Sequence, residues 1–235
     1  MVDLNGDGRL DILSGSFPGD IYVFYRKANG TYAAAEKLKT KDGRLINVGR
    51  ASTVAAADWD GDGKVDLVIG NIDGGVFLST NEGTAQSPAF RNTTRLFGKA
   101  NSSNAKGKPV TAEGGDAGPC LADWDGDGKL DLVLGSGSGK VNWYRNVGSS
   151  GKPELEEPRP LVTEASGEFK NASGFDSPKT CGMRSKPAVA DWNGDGKPDL
   201  LVGDFSFLTT AERRPARHGW VWVYLRNGDG KLAVK

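Results

Sequence analysis

Asp58-Trp59-Asp60-Gly61-Asp62-Gly63-Lys64-Val65-Asp66 carries carboxylates at its first, third, fifth and ninth positions. Oxygen donors at alternate residues, with glycines where the chain must turn sharply, meet the needs of a hard cation that takes six to eight oxygen ligands. The pattern returns at 3–11, 123–131 and 191–199, with Asn at the third position in the first and last copies. Each copy runs into an apolar stretch, so the loop and the strand after it form one repeating unit. Packing three or four carboxylates into nine residues is repulsive without a cation.

The register assigns five protein ligands to each loop. Loop two offers Asp58, Asp60, Asp62, the Lys64 carbonyl and Asp66, and loop one offers Asp3, Asn5, Asp7, the Arg9 carbonyl and Asp11. Loop three offers Asp123, Asp125, Asp127, the Lys129 carbonyl and Asp131. Loop four offers Asp191, Asn193, Asp195, the Lys197 carbonyl and Asp199. Bidentate carboxylates or water complete each shell, and the expected cofactor is about four Ca²⁺ ions, one per loop. The loops are not EF-hands: the twelfth position, which needs a bidentate Glu, holds Ser14, Ile69, Leu134 and Val202. Zinc is poorly served by one His and two Cys. Asn227–Gly230 also reads NGDG, but Leu225 and Ala233 stand where the first and ninth ligands belong, so this copy is expected to be a plain turn.

The four loops start 55, 65 and 68 residues apart, a period that suits a four-stranded sheet with a loop insertion. Within each period a short apolar strand precedes the loop (54–57, 120–122, 187–190), and a second follows it. A third strand rich in β-branched and aromatic residues comes next (21–25, 75–78, 141–144, 220–225), and a more polar fourth closes the unit (32–38, 89–96, 155–161, 231–234). Four antiparallel strands per repeat, arranged radially, predict an all-β propeller with blades at approximately 1–53, 54–117, 118–186 and 187–235. Trp59, Trp124 and Trp192 follow the first ligand of their loops and are expected to wedge between neighbouring blades.

The repeated loop and strand closely resemble the FG-GAP or VCBS type of repeat, found in the propellers of integrin α chains and in many secreted bacterial proteins. The resemblance covers essentially the whole chain. It implies calcium-stabilised blades and an extracytoplasmic setting (secreted, periplasmic or cell surface), but no reaction, because one architecture carries adhesion, sugar binding and catalysis alike. Asn5 and Asn193 depart from the all-Asp loop and lower its charge. Such propellers commonly have about seven blades, whereas four are visible here and only Met1 and Val2 precede the first ligand. The ring is therefore expected to be part of a longer one, to be completed by self-association, or to be a tight four-bladed ring.

The 235 residues are 37% hydrophobic and 26% charged, with 34 Gly, as suits one soluble domain, and no run is long enough to cross a membrane. Basic and acidic residues balance at 30 each. Successive loops hold three, four, four and three of the acidic ones, so four divalent ions move the net charge to about +8. No localised basic stripe points to nucleic acid. Cys120 and Cys181 are read either as a bridge or as two small buried residues.

Binding residues outside the loops are sought in the long connections at 39–53, 97–118 and 162–186 and in the insertion at 204–219. Arg50, Asp116 and Arg184 lie seven or eight residues before the first ligand of the next loop and are the candidates for a glycan or protein ligand at the central entrance. Gly135–Gly139 reads GSGSG but precedes a strand, so a hairpin is expected and not a phosphate cradle. Asn29, Asn92, Asn101 and Asn171 lie in glycosylation sequons. His218 has no identified acid or orienting partner. The first expectation is a non-enzymatic glycan- or protein-binding module, with exposed aromatics such as Tyr25 or Trp143 stacking on sugars. A calcium-assisted polysaccharide lyase and a purely structural repeat of a larger surface protein are the alternatives.

Overall fold

A computed structural model describes residues 1–98, 107–163, 168–169, 181–209 and 215–234, with the backbone alone at 168–169, 207–209 and 215–218. The described residues form strands and turns without a helix, in four sheets. Blade one holds β1 (Ile12–Ser14), β2 (Tyr22–Phe24) and β3 (Glu36–Lys37). Blade two holds β4 (Thr53–Ala57), β5 (Asp66–Gly70), β6 (Val76–Ser79) and β7 (Thr94–Arg95). Blade three holds β8 (Gly118–Ala122), β9 (Asp131–Gly135), β10 (Val141–Tyr144) and β11 (Arg159–Val162). Blade four is larger: β12 (Glu168–Phe169), β13 (Met183–Ala190), β14 (Asp199–Thr209), β15 (Pro215–His218), β16 (Val221–Arg226) and β17 (Leu232–Val234).

The four sheets are antiparallel apart from the short β12–β14 pair, and they stand as the blades of a four-bladed β-propeller. Blade one lacks a full inner strand, as the sequence implies; a single Val2↔Asp11 bridge takes its place. A cavity of about 230 Å³ at the centre is bordered by Val2, Leu13, Val54, Ala56, Cys120 and Pro187, which come from all four blades.

Side-chain alternation along the second strand of each blade explains why the blades stack. Every residue of β5 and β9 is buried, because both faces of these strands are covered by neighbouring sheets. Leu67 and Ile69 join blade one's Leu4, Ile21, Val23 and Ile46, while Val68 points the other way, to Leu132, Leu134 and Tyr144 of blade three. A third cluster joins blade three's Val133 and Val141 to Leu200, Val202 and Tyr224 of blade four. Each fully buried Leu, Ile or Val is worth about 1.5–3 kcal/mol, so the three clusters carry most of the cohesion between blades.

The backbone seals the same joints. A Cβ at Gly15, Gly70 or Gly135 would lie 1.9, 2.3 or 2.2 Å from the carbonyl oxygen of Ser52, Ala117 or Ser185, each in the chain entering the next blade. Only hydrogen fits there, which is why glycine stands at this position in blades one to three.

Several sequence expectations need correction. The fourth strands are shorter and later than the polar runs suggested, at 36–37, 94–95 and 159–162, because their ends pair through isolated bridges instead of a continuous ladder. The insertion at 204–219 is not a loop: β14 continues to Thr209 and folds back on β15, with Ser206 opposite His218. β13 starts at Met183 and so takes in the end of the expected 162–186 connection. Cys120 and Cys181 are unbridged. Both thiols are shifted up by burial, Cys120 to about 11, so both serve as small packing residues. The Asn227–Gly230 segment is the plain turn expected, closed by the Gly230 amide donating to the Asn227 carbonyl at 3.0 Å. Ser136–Gly139 closes in the same way as a hairpin turn. Asn101 and Asn171 lie outside the described residues, as does the side chain of His218.

Candidate metal loops and the opposite face

All four acidic loops fold alike. In loop two, Asp58 accepts from the Asp62 and Gly63 amides at 2.9 Å each, Asp60 from the Asp62 amide at 3.2 Å, and Asp62 from the Lys64 amide at 3.0 Å. Asp123, Asp125 and Asp127 repeat these bonds in loop three, as do Asp3, Asn5 and Asp7 in loop one and Asp191, Asn193 and Asp195 in loop four. The turn needs left-handed backbone at the fourth and sixth positions: Gly61 and Gly63 have φ of 76° and 83°, and the other three loops match. The nested turns aim the first, third and fifth side chains inward. Asp58, Asp60 and Asp62 bring one oxygen each within 4.8 Å of one another, and so do Asp123, Asp125 and Asp131.

The ninth residue has a second task that spacing alone did not reveal. Asp11, Asp66, Asp131 and Asp199 are buried. One oxygen of each accepts from the amide of its loop's second residue, at 3.0–3.2 Å for Leu4, Trp59, Trp124 and Trp192. The other accepts from an amide at the end of the third strand or just beyond it, at 2.7–2.8 Å for Arg26, Asn81, Asn146 and Arg226. This carboxylate therefore clasps the loop to its sheet, and its remaining lone pairs are still available to an ion.

Electrostatics within the loops favour a cation. Burial pushes the Asp66 carboxyl up to about 6, with Asp60 and Asp62 adding to the shift. Asp60 and Asp131 are also raised, again chiefly by burial. Protein cations already offset part of this charge. The Lys64, Lys129 and Lys197 ammonium groups lie 2.7, 3.1 and 3.4 Å from Asp62, Asp127 and Asp195, and Arg9 pairs with Asp7. Arg145, at 2.5 Å from Asp125 and 3.3 Å from Asp127, is a charged neighbour that the sequence did not reveal. The repeats give no sign of it, since Tyr25, Thr80 and Leu225 occupy its position in the other blades.

Ligand and clasp are separable by mutation. Asp131→Ala strands two buried amides, at about 1–3 kcal/mol each, and also removes a converging loop-three oxygen, so it is expected to lower stability in chelator and by more in calcium. Asp125→Ala is expected to weaken the protein in calcium and to have little effect in chelator. Thermal melts of both variants under both conditions check this.

The opposite end of the blades carries the other sequence candidates. Asp116 and Arg184 come together there, 3.5 Å apart, and Lys186 lies 2.9 Å from both the carboxylate and the carbonyl of Asp116. The Arg184 guanidinium stacks over Phe205 at 5.6 Å. Asp116, Arg184 and Phe205, with Ile72 and Met183, line a cavity of about 410 Å³. Arg50 does not join them; it is exposed, and its carbonyl accepts from the Ile72 amide.

Ala51, Asp116 and Arg184 share a left-handed backbone, with φ of 48°, 53° and 56°. Their amides donate to Phe17, Ile72 and Gly137, corresponding residues in the hairpin turn of the preceding blade. Non-glycine residues held this way cost on the order of 1–3 kcal/mol and tend to gather at functional sites. Tyr25 and Trp143 are both partly buried against the blade clusters, and Arg159 covers the Trp143 ring at 5.1 Å, so neither is an open platform for sugars.

The profile described as FG-GAP-like repeat matches residues 3–69, 58–134 and 123–202. Cartilage acidic protein 1 is 27% identical in Mus musculus over 141 residues and 25% identical in Homo sapiens over 138 residues. Each match covers 58% of this chain and 20% of the relative, so the chain spans about a fifth of their length. Among solved structures, a mutant Tc holotoxin pore of Photorhabdus luminescens aligns over 93% of this chain and 8% of its own, at 20% identity and a TM-score of 0.46.

Proposed function

Because the chain belongs to the FG-GAP-like repeat family, we propose that it is a calcium-stabilised, extracytoplasmic propeller module that binds a glycan or protein through the loops between its blades. The observation that carries the calcium assignment is the convergence of three carboxylate oxygens within 4.8 Å in loops two and three, on a backbone that loops one and four reproduce. The donor set fits: it is all oxygen, rich in charge and backed by further buried carboxylates. The Arg9, Lys64, Lys129 and Lys197 carbonyls are the assigned backbone donors. A bound ion neutralises side chains that otherwise repel and fixes the turn between the first two strands of each blade.

Short loops of this kind bind calcium at roughly 10⁻⁴ to 10⁻³ M, concentrations met outside cells and not in cytosol, which supports the extracytoplasmic setting. Calorimetric titration with calcium chloride is expected to show several equivalents of saturable binding. A flat titration overturns the assignment.

We take as ligand face the concavity bordered by Asp116, Arg184 and Phe205, beside Lys186, because charged groups, an aromatic ring and strained backbone meet there. A glycan array followed by an Arg184→Ala and Asp116→Ala comparison tests it. Binding that the two substitutions abolish supports this face, and binding they leave untouched removes it. Product absorbance from an unsaturated uronate would instead assign a lyase.

A further inference from the structure

The left-handed residue at the entry to blade four is an arginine, and the joint itself does not require one. Ala51 takes the same backbone conformation with a methyl group alone. The ladder of β13 and β14 shifts register between Met183 and Lys186, so Arg184 lies in a β-bulge, where a residue of left-handed backbone is ordinarily glycine and the bend re-aims a side chain. The guanidinium is held from two sides. Its carbon stands 5.6 Å from the centre of the Phe205 ring, and Nε is 3.5 Å from the Asp116 carboxylate. Among the described residues nothing pairs with its two terminal nitrogens. The charge offered to solvent is therefore positive. Asp116 is the acidic group of the lining, but its side chain is 14% exposed and its two oxygens face Lys186 and Arg184, whereas Arg184 is 57% exposed.

We propose that this concavity receives the carboxylate of a uronic-acid sugar, with Arg184 as its receptor; the inference rests on the glycan-binding reading above and names the class of glycan. A guanidinium with both terminal nitrogens open presents two parallel N–H donors, the spacing that the two oxygens of a carboxylate match. Its Nε contact and its ring contact hold the fork in place before a ligand arrives, so little side-chain freedom is lost on binding. The volume of about 410 Å³ suits a short saccharide, toward the lower end of the roughly 300–1,000 Å³ of small-molecule sites. An extended acidic peptide fits less well. Peptides that add to a sheet need open backbone donors, and the Ile72, Asp116, Gly137 and Arg184 amides here already donate to the carbonyls of Arg50, Ile72, Gly115 and Gly137.

Calorimetric titration in calcium with trigalacturonate, its methyl ester and hexaglutamate tests the proposal. The free acid is expected to bind, the ester to bind on the order of 10- to 100-fold more weakly, as befits the loss of one charge-assisted pair, and hexaglutamate to give no heat. Arg184→Gly is the decisive variant. Glycine relieves the left-handed backbone, so this variant is expected to melt no lower than the parent and yet to lose the preference for acid over ester. Equal binding of acid and ester overturns the carboxylate receptor and leaves a glycan face standing. An Arg184→Gly variant that still prefers the acid also overturns it, and moves the contact to bound calcium. Silence from the free acid, or binding of hexaglutamate in its place, overturns the uronate assignment. A glycan array on which neutral and acidic sugars alike are silent removes the glycan reading itself.

Discussion

Chelating calcium is expected to lower the melting temperature by about 20–40 °C. An ion that binds only the native state stabilises it by RT ln(1 + [L]/Kd), about 2.7 kcal/mol per site at a hundredfold excess over Kd. Four loops with dissociation constants near 10⁻⁴ M, in about 10 mM calcium, then contribute on the order of 10 kcal/mol. A chain of this size shifts by roughly 2–4 °C per kcal/mol. The effect is large because removing the ions also leaves Asp60 and Asp66 in loop two as neighbouring charges under partial burial. Loop three is expected to resist best, since Arg145 already lies against Asp125 and Asp127. Melting followed by circular dichroism with calcium and with EGTA gives the answer, and coincident curves contradict the metal assignment.

Trp124→Ala is expected to cost about 3–5 kcal/mol, the range for removing a buried large aromatic. Trp124 packs with Val133 and Val141 of its own blade and with Leu200, Val202 and Tyr224 of the next, and it carries the Arg226 guanidinium. Deleting it opens the joint between blades three and four, so the midpoint is expected to fall by about 10 °C and blade four to detach first. Trp192→Ala is expected to change stability by less than about 0.5 kcal/mol because its ring is exposed. Equal losses for the two variants would mean that the tryptophans do not act as wedges between blades.

The contrast between Trp124 and Trp192 shows where reading residues in order succeeds and stops. Both follow the first acidic residue of a DxDGDGxxD-type loop, and the two loops differ only at Asp125/Asn193 and Leu130/Pro198, neither of which foretells the exposure of the ring. Burial depends on whether another sheet lies alongside, a relation between distant segments. The same limit hid Arg145, whose reach into loop three depends on the path of β10, and the pairing of β14 with β15, where an apparent insertion finds a ladder partner. Asp116 and Arg184 were marked by position alone. Their 3.5 Å approach, and the absence of Arg50 from it, are set by how successive blades enter the ring.

The sequence by itself determined the loop geometry, the strand order within each blade and the fold class. These follow from short-range rules: glycines permit left-handed turns, alternate carboxylates share one concave side, and apolar runs between turns pair with their neighbours. Tertiary structure decided which wedges are covered, that the ninth carboxylate clasps two strands as well as facing the loop, and which charged residues meet at the opposite end. Those outcomes depend on contacts between residues far apart in the chain, whose strength comes from surface removed from water once the blades are side by side.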